Sequence, residues 1–442
     1  MPPRLTWADL SGLRVGIWGV GIEGKASVRK LRTLGVDPVL VDDHPAAETV
    51  EGLDVVSLHS GGAQALASCD VVIASPGISR HRQDLRELEE GGVPVVGALG
   101  LWLEEAPADR VVCVTGTKGK STTVAILGAL LEGLGRRCFV GGNLGRPPFD
   151  PTAPADVDYW IIEVSSFQAV SLTNAAATVA VTSLYPDHLD WHGDVATYYK
   201  DKLSICRRPG AELTVANGDD PVLIQHRNLL GPQVQWVHGN LTSPAWVEAL
   251  RLRGRHNQVN ALIARACLEA LGVEADDNLL LDAAKRFTPL QSRLCTVGRI
   301  GGVEFVDDSL STNVLPTVAA LSALQPSRIA VLVGGLDRGI DYTPLADHLS
   351  EAVEPVLVLT LPQNGERIRQ VLTGAHLPAH VEVSSCGGLV DAVGEAFRWA
   401  YPEGVVLLSP AAASFGGFRD YRDRARQFVE AARSLGAVET AG

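Results

Sequence analysis

A glycine-rich segment with lysines and hydroxyl side chains indicates phosphate chemistry. Residues 115–123 read Thr-Gly-Thr-Lys-Gly-Lys-Ser-Thr-Thr. The glycines let backbone N–H groups approach phosphate oxygens, Lys120 supplies a positive charge, and Ser121 or Thr122 offers a hydroxyl oxygen to Mg²⁺. The spacing Gly-x-x-Gly-Lys-Ser is two residues tighter than the general P-loop pattern. It therefore predicts nucleotide binding in a shortened loop.

The flanking residues predict the elements that position this loop. The run from Val111 to Val114 is short, apolar and rich in β-branched residues, which is typical of a buried parallel strand. Residues 124–131 read as a helix. Strand, glycine loop and helix N-terminus together make a phosphate-binding unit.

A second glycine loop lies near the N-terminus. Residues 13–18 predict a strand, residues 19–24 read Gly-Val-Gly-Ile-Glu-Gly, and residues 25–34 predict a helix. The next predicted strand ends in Asp42 and Asp43. This βαβ pattern is typical of a dinucleotide site. A dinucleotide-dependent dehydrogenase is therefore one candidate function, although it would need a second, catalytic domain.

Potential metal ligands follow two later strands. Glu163 ends an apolar strand, where a carboxylate beside a P-loop suits Mg²⁺. Two carboxylates and two histidines then fall within six residues: Asp187, His188, Asp190 and His192. They could hold a metal ion. Because Mg²⁺ bound with phosphate takes few protein ligands, a closed zinc site is the less favoured interpretation.

Lys202 follows this cluster, fourteen residues after His188. Its spacing alone predicts an exposed lysine on a helix. No catalytic role follows from the spacing.

The C-terminal part of the chain repeats the alternation of apolar strands and helices. Strands are predicted at residues 302–308, 329–335, 356–360 and 405–409. The predicted fold class is therefore α/β with three domains. They are an N-terminal Rossmann-like domain at 1–107, a central P-loop ATPase-type parallel sheet at 108–296 and a C-terminal Rossmann-like domain at 297–442.

Composition narrows the function classes. The 442 residues include 46% hydrophobic and 20% charged residues and carry a net charge of -13. This acidity argues against nucleic acid as a partner, since phosphate binding needs clustered Lys and Arg. The seven cysteines show no metal-binding spacing, which predicts a reducing cytoplasm. We expect no signal peptide, no membrane span and a monomer.

Several motifs together resemble the Mur ligases, which join amino acids to a cell-wall precursor. The matching segments cover all three predicted domains in the family's order: residues 115–123, 163–168, 187–202, 254–260, 287–294, 308–313 and 411–424. The resemblance implies an ATP-dependent ligase with Mg²⁺ that uses UDP-N-acetylmuramoyl-L-alanine and glutamate. It also implies that the first glycine loop holds the UDP group of the precursor.

The resemblance implies a role for each matched residue. The ATP site would comprise Gly116, Thr117, Lys118, Gly119, Lys120, Ser121, Thr122, Asn257, Asn260, Arg293 and Asp308. The UDP-precursor site would comprise Ile22, Glu23, Asp42, Ser75, Gly77, Asn143, Ser165 and Gln168. The catalytic residues would be Lys120, Glu163, His188 and Lys202. The metal ligands would be Ser121, Glu163, His188 and a Lys202 carbamylated by CO₂.

The expected glutamate site departs from the usual family pattern. It would comprise Thr312, Arg338, Ser414 and Tyr421. A family lysine is replaced by Leu310, and a second family lysine is replaced by Arg338. Because lysine and arginine bind carboxylates differently, the pattern favours a branch that adds L-glutamate, with D-glutamate as the alternative. A non-catalytic nucleotide-binding regulator is a further alternative, although all candidate metal ligands are present.

Overall fold

The computed structural model describes residues 4–143, 145–239, 242–414 and 416–438, with the backbone alone at Asp190. Within them the chain forms three six-stranded sheets of mostly parallel strands. Helices alternate with the strands in each sheet region. The predicted α/β fold class is therefore confirmed.

The first sheet has the order β3-β4-β2-β1-β5-β6, and only the β3–β4 pair is antiparallel among its described strands. Its strands are β1 Val15–Trp18, β2 Val39–Asp42, β3 Thr49–Val50, β4 Leu53–Ser57, β5 Val71–Ala74 and β6 Val95–Val96. Its helices are α1 Ile22–Thr33, α2 Ala63–Ala67, α3 Gln83–Glu90 and α4 Ala98–Glu105. The strand order reverses beside β1, where doubly wound folds bind ligands.

The second sheet has the order β12-β11-β10-β7-β9-β8, and its described pairs are parallel. Its strands are β7 Val111–Thr115, β8 Cys138–Gly142, β9 Tyr159–Glu163, β10 Thr178–Val181, β11 Leu213–Asn217 and β12 Val234–Val237. The helices of this region are α5 Lys120–Gly133, α6 Ser166–Val170, α7 Leu189–His192, α8 Val195–Leu203, α9 Pro221–Gln225, α10 Ala245–Ala249, α11 Arg255–Ala270 and α12 Asp277–Ala284. All five residues of β7 are buried, as its apolar sequence predicted.

The third sheet has the order β13-β14-β18-β15-β16-β17, with an antiparallel β13–β14 pair. Its strands are β13 Cys295–Ile300, β14 Gly302–Asp307, β15 Ile329–Val333, β16 Val356–Thr360, β17 Val381–Ser385 and β18 Glu403–Leu408. Its helices are α13 Val314–Ala323, α14 Thr343–Ser350, α15 Gly365–Thr373, α16 Leu389–Ala400 and α17 Tyr421–Ser434.

These sheets fall into two compact units. The first unit comprises Met1–Ala249 and Val259–Phe287 and contains the first two sheets. The second comprises Leu250–Gln258 and Thr288–Gly442 and contains the third sheet. The three-domain boundaries given above stay a prediction. Among the described helices, none has both the length and the apolar character needed to cross a bilayer.

A fully buried arginine ties together two loops of the second unit. Arg424 on α17 has no exposed surface and donates to the carbonyl of Ser309 at 2.9 Å and to that of Ala412 at 3.2 Å. Its guanidinium also lies 5.9 Å from the ring centre of Phe418. Burial lowers the pKa of Arg424 to about 10. The side chain stays protonated at neutral pH, so both carbonyls receive charged donors.

We expect Arg424→Ala to destabilise the second unit strongly. The change leaves two buried carbonyl groups without their donors and opens a cavity, which together should cost about 3 kcal/mol of unfolding free energy. Urea denaturation followed by circular dichroism measures the loss.

Arg426→Ala is the matched control on the same helix. Its side chain is 56% exposed and pairs with Asp423 and Glu430 at the surface, so we expect little change in stability. Equal losses in the two variants would contradict the role assigned to Arg424.

Candidate active site

The loop after β7 is shaped by two glycines with positive φ. Gly116 has φ 137° and Gly119 has φ 88°. A Cβ at position 116 would lie 2.2 Å from Oγ1 of Thr182, and one at position 119 would lie 2.7 Å from Oδ1 of Asn260. Glycine is therefore required by both backbone conformation and space. The same contact brings Asn260 against the loop, next to the residues predicted to bind ATP.

The segment after β10 holds this loop in place. The backbone N–H of Lys118 donates to Oγ of Ser183 at 2.9 Å, and Oγ1 of Thr182 donates to the Lys118 carbonyl at 2.5 Å. Oγ1 of Thr117 donates to the carbonyl of Tyr185 at 3.0 Å. The loop backbone is thus positioned by its neighbours, which preorganises its remaining N–H groups for an anion.

Two lysines converge on one carbonyl of the loop. Nζ of Lys120 donates to the Gly116 carbonyl at 2.9 Å, and Nζ of Lys202 donates to the same oxygen at 3.1 Å. Lys202 is only 2% exposed, so the exposed helix lysine predicted by spacing alone is wrong. Burial, together with the charge of Lys120, holds the pKa of Lys202 well below its usual value. The neutral form of its amine is therefore more accessible than in an ordinary lysine.

Tyr198 supports both the loop and Lys202, and the sequence analysis gave it no role. The Tyr198 hydroxyl lies 3.0 Å from Oγ1 of Thr117, and its ring centre lies 5.0 Å from Nζ of Lys202. Tyr198 and Lys202 are four residues apart on α8, the spacing at which side chains share a helix face. That spacing was the available signal for this contact.

Glu163 at the end of β9 presents one unpaired oxygen. Its Oε1 accepts a hydrogen bond from Nδ2 of Asn143 at 2.8 Å. Its Oε2 is buried and has no hydrogen-bond partner among the described residues. A buried carboxylate oxygen without a donor is costly, and a divalent cation would satisfy it. Asn143, expected at the UDP-precursor site, lies here as a partner of Glu163.

His188 carries a side chain suited to metal binding. It adopts a left-handed backbone conformation with φ 53°, and its ring lies 4.9 Å from that of Phe167. Partial burial and the charges of nearby lysines lower the pKa of His188 despite the opposing effect of Asp187. The imidazole is therefore neutral at pH 7, as a metal ligand must be.

The acidic and histidine cluster predicted at residues 187–192 divides in the structure. Asp187 lies 3.3 Å from Nζ of Lys118 and 3.8 Å from Nε2 of His188. His192 instead pairs with Asp201 on α8 at 2.7 Å. The side chain of Asp190 lies outside the described part of the chain. The two histidines therefore belong to different groups of residues.

Three residues expected at the UDP-precursor site meet between the first two sheets. Ser165 and Gln168 form a capping box at the start of α6. The Gln168 amide also donates to Oε1 of Glu23 at 2.5 Å. Burial raises the pKa of Glu23 to about 7, against the effect of this hydrogen bond.

The other expected precursor residues surround the first glycine loop. Asp42 accepts from the backbone N–H of Val20 at 2.9 Å, and Oγ of Ser75 donates to the Gly19 carbonyl at 2.5 Å. Ile22 is 62% exposed, and Gly77 is also exposed. Asp42 and Ser75 thus hold the loop's backbone, while Ile22 and Gly77 remain accessible to a ligand.

Three residues expected at the nucleotide site, Asn257, Arg293 and Asp308, belong to the second unit. Asp308 accepts from Oγ of Ser311 at 2.5 Å and from Oγ of Ser409 at 2.7 Å. Burial raises the pKa of Asp308 to about 7, although these bonds and the nearby Arg293 oppose the shift. Asn257 also belongs to this unit, where its side chain donates to the carbonyl of Arg253 at 2.7 Å.

The expected glutamate residues lie at the carboxyl ends of neighbouring strands β14, β15 and β18. Thr312 follows β14, and Arg338 is exposed on the loop after β15. A bridge between Leu336 and Ala413 brings that loop beside Ser414, which is 4% exposed. Tyr421 is the first residue of α17.

Three other residues expected at the ATP site are buried in the first unit. Ser121 and Thr122 are each 6% exposed, and Asn260 is 4% exposed. All three therefore lie inside the protein beside the P-loop, at the start of α5 and against Gly119.

Two family profiles match this chain. Residues 114–268 match the profile described as Mur ligase middle domain. Residues 14–97 match the profile described as Mur ligase MurD-like, N-terminal domain.

Curated relatives match nearly the whole chain. A Salinispora tropica protein named UDP-N-acetylmuramoyl-L-alanine–L-glutamate ligase is 38% identical, over 96% of this chain and 98% of the relative. A Xanthomonas euvesicatoria pv. vesicatoria protein with the same name is 36% identical, over 96% of each chain.

Solved structures share the fold. MurC from Thermotoga maritima has a TM-score of 0.59 at 20% identity, with 96% of this chain and 100% of that chain covered. MurF from Acinetobacter baumannii has a TM-score of 0.59 at 16% identity, covering 90% of this chain and 87% of that one. The matches do not favour the dehydrogenase that the first glycine loop left open. The chain belongs to the Mur ligase family, as its motifs predicted, and is an ATP-dependent ligase.

Proposed function

We propose that this enzyme joins L-glutamate to the alanyl carboxylate of UDP-N-acetylmuramoyl-L-alanine with hydrolysis of ATP to ADP and phosphate. The observation that carries the choice of substrates is the 38% identity, over 96% of the chain, to a protein named for that reaction. The P-loop geometry supports the ATP chemistry. The enzyme acts in the cytoplasm as a monomer, and neither nucleic acid nor a membrane is among its partners.

The reaction proceeds through an acyl phosphate. An oxygen of the alanyl carboxylate attacks the γ-phosphorus of ATP, the bond to the β-phosphate oxygen breaks, and ADP leaves. The glutamate amine then attacks the carbonyl carbon, loses a proton and expels phosphate. Lys120 and the loop N–H groups neutralise the charge of the transferring phosphoryl group and hold it in line.

The residues near the P-loop fit a magnesium ion. Oε2 of Glu163 is buried without a partner among the described residues, and the lowered pKa of His188 keeps its imidazole neutral. Ser121 at the start of α5 would add a hydroxyl oxygen. When bound, Mg²⁺ supplies charge neutralisation at the phosphate oxygens. Glu163 and His188 would orient it, and Asn143 would fix the carboxylate of Glu163.

Lys202 acts as a carbamate in this proposal. Its neutral amine attacks CO₂, an N–C bond forms, and one proton is released to water. The product carries a negative charge, which suits this site because the ammonium of Lys120 donates to the same Gly116 carbonyl as Lys202. Carbamylation therefore replaces a costly buried amine with an anion beside a cationic lysine and a metal ion.

The precursor's uridine and diphosphate lie at the first glycine loop, with Ile22, Glu23, Asp42, Ser75 and Gly77 around it. Glu23 can donate a hydrogen bond when protonated, since its pKa is raised to about 7. The muramoyl-alanyl end then extends toward the P-loop along the residues that follow β8 and β9. They are Asn143, Ser165 and Gln168.

The glutamate site supports the L enantiomer. With the amine fixed for attack, inverting the α-carbon redirects the α-carboxylate or the side chain. A site for L-glutamate must therefore place its cations differently. Leu310 offers no charge where the family has a lysine, and Arg338 offers a planar bidentate donor for a carboxylate. Thr312, Ser414 and Tyr421 supply the remaining polar contacts. The residues of this unit proposed to bind ATP are Asn257, Arg293 and Asp308.

We expect Lys202→Ala to lower kcat by about 100-fold, because the variant loses a charge that acts at the metal and phosphate. A short carboxylic acid such as acetate should restore part of the activity by filling the vacated position. Steady-state phosphate release with and without acetate measures both effects.

Lys200→Ala is the control, since Lys200 is exposed on the same helix. It should retain wild-type activity and show no response to acetate. A wild-type rate in Lys202→Ala would show that Lys202 has no role in the active site. If the wild type gave no ¹³C carbamate signal under labelled CO₂, the result would contradict carbamylation. It would not contradict a role of Lys202 in the site.

We expect L-glutamate to be used at least about tenfold better than D-glutamate in kcat/KM, or about 1.4 kcal/mol at the transition state. Phosphate release with ATP, the UDP-linked precursor and each enantiomer measures the ratio. Equal or better use of D-glutamate would assign the enzyme to the D-glutamate alternative.

Arg338→Ala should raise the KM for glutamate far more than that for ATP, because it removes a carboxylate clamp. Arg369→Ala is the control, since Arg369 pairs with Glu366 on its own helix. An unchanged KM for glutamate in Arg338→Ala would exclude this arginine from substrate binding.

A further inference from the structure

Two histidines and an aspartate form a compact cluster apart from Glu163 and His188. Nδ1 of His192 lies 2.7 Å from Oδ2 of Asp201, and Nε2 of His81 lies 2.9 Å from the same oxygen. One ligand atom from each residue lies within 4.8 Å of the others. Ligand atoms around a tetrahedral zinc ion, with bonds of about 2.0–2.1 Å, are about 3.3 Å apart. Small side-chain rotations would therefore accommodate an ion.

The ring nitrogen of His192 that points away from the cluster has a hydrogen-bond partner, as in metal-bound histidines. Its Nε2 lies 2.9 Å from Oγ of Ser166. Without an ion, Nδ1–H of His192 donates to Asp201. With an ion bound, donation from Nε2–H to Ser166 would leave the Nδ1 lone pair for the metal. Such an outer hydrogen bond fixes the tautomer and ring orientation of histidine ligands.

Aromatic rings surround the buried side of the cluster. The ring of Phe167 stacks on that of His192 at 5.6 Å, and the Trp191 ring lies 4.4 Å from it. Trp191 also contacts His81 edge-on at 5.6 Å. The His192 side chain has no exposed surface, whereas the His81 side chain is 37% exposed. An ion could therefore enter from the His81 side and keep a water as its fourth ligand.

Ser166, His192 and Asp201 also resemble a nucleophilic triad in their hydrogen-bond order. Ser166 is only 2% exposed, and His192 is 3% exposed. An acyl substrate could not reach the serine hydroxyl without moving the surrounding rings. The serine is therefore better explained as a partner that orients His192.

We propose that His81, His192 and Asp201 bind a transition-metal ion of the zinc class. Two imidazoles and one carboxylate are the ligands that Zn²⁺ takes, whereas Mg²⁺ prefers oxygen ligands. The site is separate from the magnesium site, and binding does not depend on the proposed ligase reaction.

A bound ion would join two layers of the first unit. His81 follows β5 in the first sheet, whereas His192 ends α7 and Asp201 lies on α8 beside the second sheet. Oγ of Ser79 already donates to the carbonyl of Trp191 at 3.2 Å across the same contact. Because α8 also carries Lys202, the ion would restrain the helix that positions the buried lysine.

Zinc binding to the metal-stripped, full-length chain tests the proposal. The titration uses Zn²⁺ against a chromophoric chelator, with Mg²⁺ saturating throughout, and is repeated with Co²⁺ to record visible absorption. We expect one equivalent of Zn²⁺ and the intense Co²⁺ bands of a four-coordinate site. His81→Ala, a change at a part-exposed side chain, should weaken Zn²⁺ binding at least tenfold. It should also abolish the rise in Tm that Zn²⁺ gives to the wild type.

Three further variants test whether Zn²⁺ binds at His81 and not elsewhere. His238→Ala should bind Zn²⁺ as the wild type does, since His238 is 61% exposed and lies 3.1 Å from a single carboxylate, Asp219. His188→Ala should also retain Zn²⁺ binding, because His188 belongs to the magnesium site. His81→Cys should keep the ion and add a thiolate-to-Co²⁺ charge-transfer band.

Two results would overturn the proposal. The first is no Zn²⁺ binding by the wild type in the presence of Mg²⁺. The second is binding that is lost in His188→Ala but unchanged in His81→Ala, which would assign the zinc to the magnesium site. Loss of ligase activity alone would bear on the proposed reaction and not on this site.

Discussion

The central physical constraint is the concentration of positive charge around one backbone oxygen. Lys120 and Lys202 both donate to the Gly116 carbonyl, and Lys202 is buried away from screening water. Burial is the main cause of the lowered pKa of Lys202, and repulsion from the Lys120 ammonium lowers that pKa further. An anion resolves the repulsion, whether it is a phosphate on the loop or a negative charge on Lys202 itself. The P-loop is therefore poised for anionic ligands before any ligand binds.

Parallel strands create this arrangement because their carboxyl ends meet at one edge of the sheet. Strand β7 leads into the glycine loop, its neighbour β9 ends at Glu163, and its other neighbour β10 leads to the residues that brace the loop. Residues far apart in sequence thus become adjacent without any long-range motif. The third sheet repeats the principle, since β14, β18 and β15 bring Asp308, Ser409 and the Arg338 loop to one edge.

Much of the fold was accessible to sequence reasoning because parallel strands are buried on both faces. The continuous apolar run before Gly116 predicted β7, and every residue of that strand is buried. The α/β class followed from the alternation of predicted strands and helices, and the family followed from the order of the motifs. Lys202 was misjudged from spacing, since a lysine on a helix is exposed in most proteins. Its burial depends on Tyr198, Gly116 and the packing of α8, which no local pattern reports. The roles proposed for individual site residues stay predictions.

The sequence by itself determined where the chain can bend tightly around phosphate, which strands are buried and which family the chain belongs to. These properties depend on local residue types and their spacing. Only the tertiary structure decided which polar groups meet. It separated His188 from His192, left Oε2 of Glu163 without a described partner and brought His81 to Asp201. Such contacts arise from the crossing of distant elements, and their energies depend on burial and distance. Neither burial nor distance can be read from the order of residues along the chain.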